Sequence, residues 1–318
     1  MNLNKLNSKK GAIKTGIPQG SVIGPLLFLI YINDMPLHLD NDLTNTLFAD
    51  DASLHTSSKN LNDLNLNLQN GLNSVEDWCI KNNMSIHPDK TKSMVITTRQ
   101  KHQLEPLLLT LSLGSKKIEQ VKKHKVLGLT LDSELTWRDH IDSLSKRLSK
   151  NVHLLSRLKR FASEPALKLF FEAHINSFIN YASTLWDNCA GEHLKKINSM
   201  HRRAVKHLAP NNGLSTDEKL ANLKILPLSK QLMYNKAVVV HKILYDKAPP
   251  YLTPLLQKAP TRYGSTNLIP PLPRIDICKS SLAYSGSLFW NTLPDEIKNI
   301  PSISKFKKHL RRHLFDVH

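Results

Sequence analysis

Near residue 133 the hydrophobic pattern of this chain changes its period, and that change limits the folds open to it more than any other feature. Upstream, strand-like runs are interleaved with a single helical stripe. Residues 43–48 and 53–56 flank the acidic pair Asp50-Asp51 and read as a hairpin with both carboxylates at or beside its tip. Leu61, Leu64, Leu68, Leu72, Val75 and Cys79 then recur at spacings of three and four behind a Ser58 cap, one face of an amphipathic helix. Further strand-like runs lie at residues 93–98, 107–113 and 126–131. The economical arrangement is α+β, a sheet with helices on one face, closing a first region at residues 1–132.

From residue 133 the pattern is helical and the charge basic. Leu144, Leu148, Val152, Leu155 and Leu158 form one stripe, with Lys146, Arg147, Lys150, Arg157 and Arg160 beside it. A second helix is expected from Ser163 through Leu185 with Pro165 in its first turn, and a third over 192–208 carrying Arg202 and Arg203. This helical region ends near residue 210. The remainder, 211–318, holds a helix over 229–245, a stretch at 249–273 with seven of the 17 prolines that reads as a linker or irregular strap, and a terminal basic helix with Lys307, Lys308, Arg311 and Arg312.

Charge narrows the partners. With 44 Lys plus Arg against 26 Asp plus Glu, the net charge of +18 points to a polyanion, and those cationic helices are the natural track for nucleic acid. The longest apolar stretch, at 25–32, is far short of the ~20 residues that span a bilayer, so no membrane is expected. Three widely spaced cysteines make neither C-x-x-C pairs nor a full disulfide set, which fits an intracellular setting, nucleus or cytoplasm left open. His309 and His313 have a zinc-compatible spacing, but without further ligands nearby they read as part of a solvated basic face.

The chemistry concentrates near the hairpin. Adjacent carboxylates repel unless a cation joins them, so Asp50-Asp51 reads either as a solvated turn or as a divalent-metal site. Upstream, Gly16-Ile17-Pro18-Gln19-Gly20-Ser21 leads through Gly24-Pro25 into an apolar helix, a turn that lets backbone approach a ligand closely. By residue type alone Gln19 is equally a polar helix start, and Lys90 a solvated strand end.

GIPQGSVIGPLLF followed by LFADD resembles motifs B and C of reverse transcriptases from non-LTR, LINE-type retrotransposons, particularly the jockey and CR1-like groups. Pro88-Asp89-Lys90-Thr91-Lys92 is similar to motif D, and Lys125-Val126-Leu127-Gly128-Leu129 to the turn that grips the primer. The likeness extends to Phe289-Trp290-Asn291-Thr292-Leu293-Pro294 in the tail. It implies a partial right-hand polymerase palm over 1–132, a helical thumb over 133–210 and a mostly helical C-terminal extension. It also implies Asp50 and Asp51 as catalytic carboxylates holding Mg²⁺ or Mn²⁺, and Lys90 beside the triphosphate. Gly16, Pro18, Gln19, Gly20, Ser21, Phe48 and Ala49 would line the nucleotide and template site, and Leu127, Gly128 and Leu129 the primer grip. The implied partners are an RNA template, a DNA primer and a deoxynucleoside triphosphate (dNTP). The family takes a further Asp from an upstream strand, motif A, whereas residues 1–15 hold no acidic residue. The expectation is therefore the C-terminal part of a polymerase, inactive alone, with a noncatalytic nucleic-acid-binding remnant as the rival reading.

Overall fold

The computed structural model describes residues 16, 20–39, 43–104, 107–208, 213–260 and 266–316. The chain divides into two compact units, one running to Val95 and again over Gln100–Lys122, the other made of Ile96–Arg99 with Lys123–His318. Helix predominates, with short strands, so the mixed α and β class holds.

In the first unit, α1 (Gly24–Ile32) opens with Pro25 in its first turn, where the missing N–H is no loss. β1 (Thr44–Phe48) pairs antiparallel with β2 (Asp51–His55) across a two-residue turn. The register puts Asn45, Leu47, Ala52 and Leu54 on one face of this hairpin, and Leu47 and Leu54 pack there against a core of Ile32, Met35, Val75, Trp78 and Cys79. α2 (Leu61–Lys81) supplies the last three of those residues. Its cap is Asn60, whose Oδ1 accepts from the Asn62 N–H at 2.9 Å; the expected Ser58 instead donates to Asp63 and accepts from the Asn60 N–H. The leucine stripe is a core face, as its period predicts: Leu61, Leu64, Leu68 and Leu72 pack on Leu109, Leu111, Leu113 and Ile118.

The single sheet expected of this region is not what forms. β3 (Lys92–Ser93), the short α3 (Arg99–Leu104), β4 (Ser112–Leu113), β5 (Lys116–Lys117) and β6 (Glu119–Gln120) follow, and every sheet among the described residues is two-stranded. The reason lies in what the 107–113 run bonds to. Its odd-numbered leucines are buried as a strand requires, but side-chain amides stand in for a neighbouring strand. Gln120 bridges the Leu109 N–H and the Leu107 carbonyl, each at 2.7 Å; Asn65 accepts from the Thr110 N–H at 2.7 Å; and Gln69 bonds both polar groups of Ser112 at 2.9 Å. These amides meet much of the run's backbone polarity, and only Ser112–Leu113 pair as a strand, with Lys116–Lys117.

The second unit takes in β7 (Lys123–Val126) and β8 (Leu129–Asp132), a hairpin where the sequence predicts a single strand-like run over 126–131 within the first region. It groups with the helices because Leu129 is buried in their core and Asp132 organises the chain entering α4 (Arg138–Leu158). Asp132 accepts from the N–H groups of Glu134, Thr136 and Trp137 and from the Thr136 hydroxyl. α5 (Glu164–Phe171) continues through a π turn into α6 (Ser177–Asn180), and the helix expected to reach Leu185 breaks at Tyr181 before α7 (Ser183–Trp186). With α8 (Gly191–Leu208) and α9 (Thr216–Asn222) these elements share a core containing Ile141, Leu148, Phe171, Trp186 and Ile197, all fully buried. α10 (Leu228–Leu244) also faces a second core of Trp290, Phe306 and Leu310.

The described parts of the proline-rich strap hold local structure that its composition does not predict. They contain a 3-10 turn at Pro250–Leu255 and the pair β9 (Gln257–Lys258) and β10 (Leu268–Ile269), tied down where Asn291 bonds the N–H and carbonyl of Leu268. α11 (Asp276–Lys279), α12 (Ser287–Thr292), α13 (Asp295–Lys298) and α14 (Ile303–Asp316) complete the unit.

Candidate active site

The hairpin tip is built by its turn. Phe48 and Asp51 face each other as the closing pair, with Ala49 and Asp50 between them and Ala49 at φ 52. Strand alternation then places Phe48 and Asp51, together with Thr46, Ser53 and His55, on the face opposite the core. Both carboxylates are exposed, and neither accepts a hydrogen bond from, or ion-pairs with, any described residue. Phe48 is 63% exposed, a large apolar ring held out beside them.

Two other aspartates could be imagined completing a metal site, and both are otherwise engaged. Asp34 accepts from the Trp78 indole N–H at 3.1 Å. Asp132 spends both oxygens on the turn before α4. Among the described residues there is no group of three or more His, Cys, Asp or Glu able to hold a metal ion. The pair itself suits a hard cation, since Mg²⁺ is often held by one or two carboxylates, with waters and substrate phosphates filling its remaining positions.

The glycine-rich turn is partly placed. Gly16 and Gly20 are exposed at φ +86 with open space where a side chain would stand, so a ligand could approach their backbone. Ser21 accepts from the Gly24 N–H at 3.0 Å and steers the chain into α1. Pro18 and Gln19 lie outside the described residues. Lys90 sits on an exposed turn after Pro88, its N–H donating to the His87 carbonyl at 3.1 Å, and forms no ion pair with Asp50 or Asp51.

The expected primer-grip residues belong to the second unit. Leu127 and Gly128 occupy the exposed turn of the β7–β8 hairpin, while Leu129 points into the core and serves packing. The cationic residues divide similarly. Lys146, Lys150 and Arg157 on α4, Arg160 in the turn just after it, Arg203 on α8, and Lys307, Lys308 and Arg312 on α14 are exposed. Three others already have work: the Arg147 guanidinium lies 3.8 Å from the Phe178 ring centroid, Arg202 forms a two-pronged pair with Asp217, and Arg311 donates to the Lys224 carbonyl at 2.7 Å. Two of the three cysteines are poor nucleophiles: burial pushes the Cys79 thiol up and that of Cys189 up to about 11. Sequence reasoning missed Tyr181, whose hydroxyl donates to the Leu127 carbonyl at 2.6 Å; no local signal marks that pairing across 54 residues.

Comparison with known proteins agrees with the motifs. Residues 2–131 match the family model described as reverse transcriptase (RNA-dependent DNA polymerase). The chain is 27% identical over 203 residues to a probable RNA-directed DNA polymerase from transposon BS of Drosophila melanogaster, covering 61% of this chain and 22% of that protein. It is 26% identical over 210 residues to the RNA-directed DNA polymerase from mobile element jockey of the same species, covering 62% and 22%. For the probable RNA-directed DNA polymerase from transposon X-element the identity is 25% over 224 residues, covering 66% and 24%. The chain thus spans about a quarter or less of the length of these relatives. No solved structure matches it, and no described helix is long and apolar enough to cross a membrane.

Proposed function

We propose that this chain is the portion of a non-LTR retrotransposon reverse transcriptase running from motif B onward: palm remnant, thumb and C-terminal extension. The observation that carries the reading is the two-residue turn that sets Asp50 and Asp51 out on an exposed hairpin, inside the stretch matched by the reverse-transcriptase family. In the intact polymerase a primer 3′-hydroxyl attacks the α-phosphate of a dNTP opposite an RNA template. Asp50 and Asp51 would hold Mg²⁺ or Mn²⁺, which supplies charge neutralisation at the reacting phosphate. The backbone of Gly16 and Gly20 approaches the nucleotide, and the exposed Phe48 ring offers it an apolar surface. Lys90 carries a proton donor on a flexible stem that reaches toward the leaving pyrophosphate.

The test is primer extension on an RNA template, comparing residues 1–318 alone with a fusion that supplies fingers and motif A from a relative ahead of Gly11. Two carboxylates are fewer than the family's metal site uses, so the unfused chain should show no extension and the fusion should. Asp50→Ala in the fusion should abolish incorporation, and Lys90→Ala should slow it while leaving primer–template binding unchanged. An active fusion indifferent to Asp50→Ala refutes the metal assignment. The second reading, a noncatalytic nucleic-acid-binding remnant, is favoured by the exposed cations of α4 and α14, and an inactive fusion that still binds nucleic acid would select it.

A further inference from the structure

The turn between β7 and β8 is built against its own sequence. Val126 pairs with Leu129, leaving Leu127 and Gly128 as the two central residues, and both are left-handed, at φ 46 and φ 85. Hairpins with that geometry prefer Asn-Gly, because an L side chain without a short polar group is disfavoured at positive φ. Here the first position is leucine, and its side chain is 40% exposed, so burial does not explain the choice. Something outside the hairpin must hold the shape.

Tyr181 does so. It sits where the helix breaks, extended at ψ 117 after α6, with Ala182 left-handed at φ 48. Its backbone is anchored, since its carbonyl accepts from the indole N–H of the fully buried Trp186 at 3.3 Å. Its side chain projects outward, 54% exposed, and reaches the turn twice. The hydroxyl donates to the Leu127 carbonyl at 2.6 Å, fixing the peptide that joins the two left-handed residues, and a ring carbon lies 3.6 Å from where a Gly128 side chain would begin. A solvent-exposed tyrosine braced from the core and spent on one strained peptide is more than packing requires.

We propose that Tyr181 is a positioning residue that holds the Leu127–Gly128 turn in the shape that grips a primer strand. The inference rests on the proposed function and on the primer-grip role that the sequence resemblance implies for that turn. Tyr181 does not touch the reacting atoms; it acts through the turn's backbone. Tyr181→Phe removes the hydroxyl alone and keeps the ring, so the fold is preserved.

The experiment uses the full chain with two readouts, amide hydrogen exchange at residues 127–129 and fluorescence anisotropy with a labelled RNA–DNA primer–template hybrid, with single-stranded RNA as reference. Tyr181→Phe should speed exchange of those amides and weaken hybrid binding by about five-fold, the net worth of one hydrogen bond, while leaving single-stranded RNA affinity unchanged. Adding Leu127→Asn, a residue at ease in the left-handed region, should restore the protection of those amides. Unchanged exchange and affinity overturn the proposal. So does faster exchange with unchanged hybrid binding, which would make the tie purely structural, or a Leu127→Asn that fails to restore protection. If the wild-type chain itself shows no affinity for the hybrid, the primer-grip reading fails first, and the exchange data separate that failure from a missing latch.

Discussion

Asp132 shows how one residue's chemistry can be legible while its role is not. From sequence it stands out as an acidic residue just after the primer-grip motif, and a third metal ligand is an open use for it. The structure commits its carboxylate to three backbone N–H groups and one hydroxyl, in a turn that also forces Leu135 and Trp137 to φ 51 and φ 63. Those partners are up to five residues away, so the role is local, but nothing in the letters says which way the turn folds back. Hydrogen bonds to a charged acceptor contribute more than neutral ones, and Asp132→Ala should lower unfolding stability by about 2 kcal/mol, read from urea midpoints. In the active fusion the same change should reduce primer extension only as far as it unfolds the protein. A loss of activity with stability intact would make Asp132 a ligand after all. Asp50 and Asp51 were readable by contrast, because a hairpin tip is set by short-range alternation.

Elements were legible where one face carries their period. α4 buries Ile141, Leu144, Leu148, Val152 and Leu155, and α14 buries Phe306, Leu310 and Leu314, as their spacing predicts. The misreadings arose where the partner is distant in sequence. The 107–113 run has a strand's alternation, yet amides from α2 and Gln120 meet its backbone, and the break at Tyr181 has neither Gly nor Pro to announce it. The opposite faces of the basic helices carry the next prediction. Lys307, Lys308 and Arg312 are exposed on α14, whereas Arg311 is tied to the Lys224 carbonyl. If about six phosphates are neutralised overall, log affinity for RNA or hybrid should fall with log salt at a slope of about −4 to −5. Replacing Lys307, Lys308 and Arg312 by Ala should flatten that slope without altering the fold or introducing sequence preference. An unchanged slope would mean that α14 is a solvated face and the track lies on α4 and α8.

At the scale of the whole molecule, the two units differ in how they hold histidine, and acid should separate them. The second unit buries His140, His201 and His241, and burial holds all three imidazoles below their usual range, His201 down to about 4. Among the described residues the first unit buries no histidine. The unfolded chain protonates near 6.5, so between that pH and about 4 the unfolded second unit binds more protons than the folded one. Its stability is therefore complete above about pH 6.5 and is lost as pH falls, by on the order of 3 kcal/mol from His201 alone. His140 and His241 act in the same direction. Asp187 opposes them: burial raises its carboxyl while its ion pair with Lys236 at 2.9 Å lowers it, and the net upward shift costs stability as pH rises. His207, also held low, and the lowered carboxyls of Asp142 and Asp217 act with the histidines, so acid is destabilising on balance. Trp78 reports the first unit, and Trp137, Trp186 and Trp290 the second, so fluorescence can follow each unit. Urea unfolding of Trp78→Phe, monitored at pH 7 and pH 4.5, should show the remaining tryptophan signal shift to markedly lower urea at the acid pH. Hydrogen exchange should show protection in α2 changing less than protection in α8. Equal loss in both units would place the acid sensitivity outside these histidines.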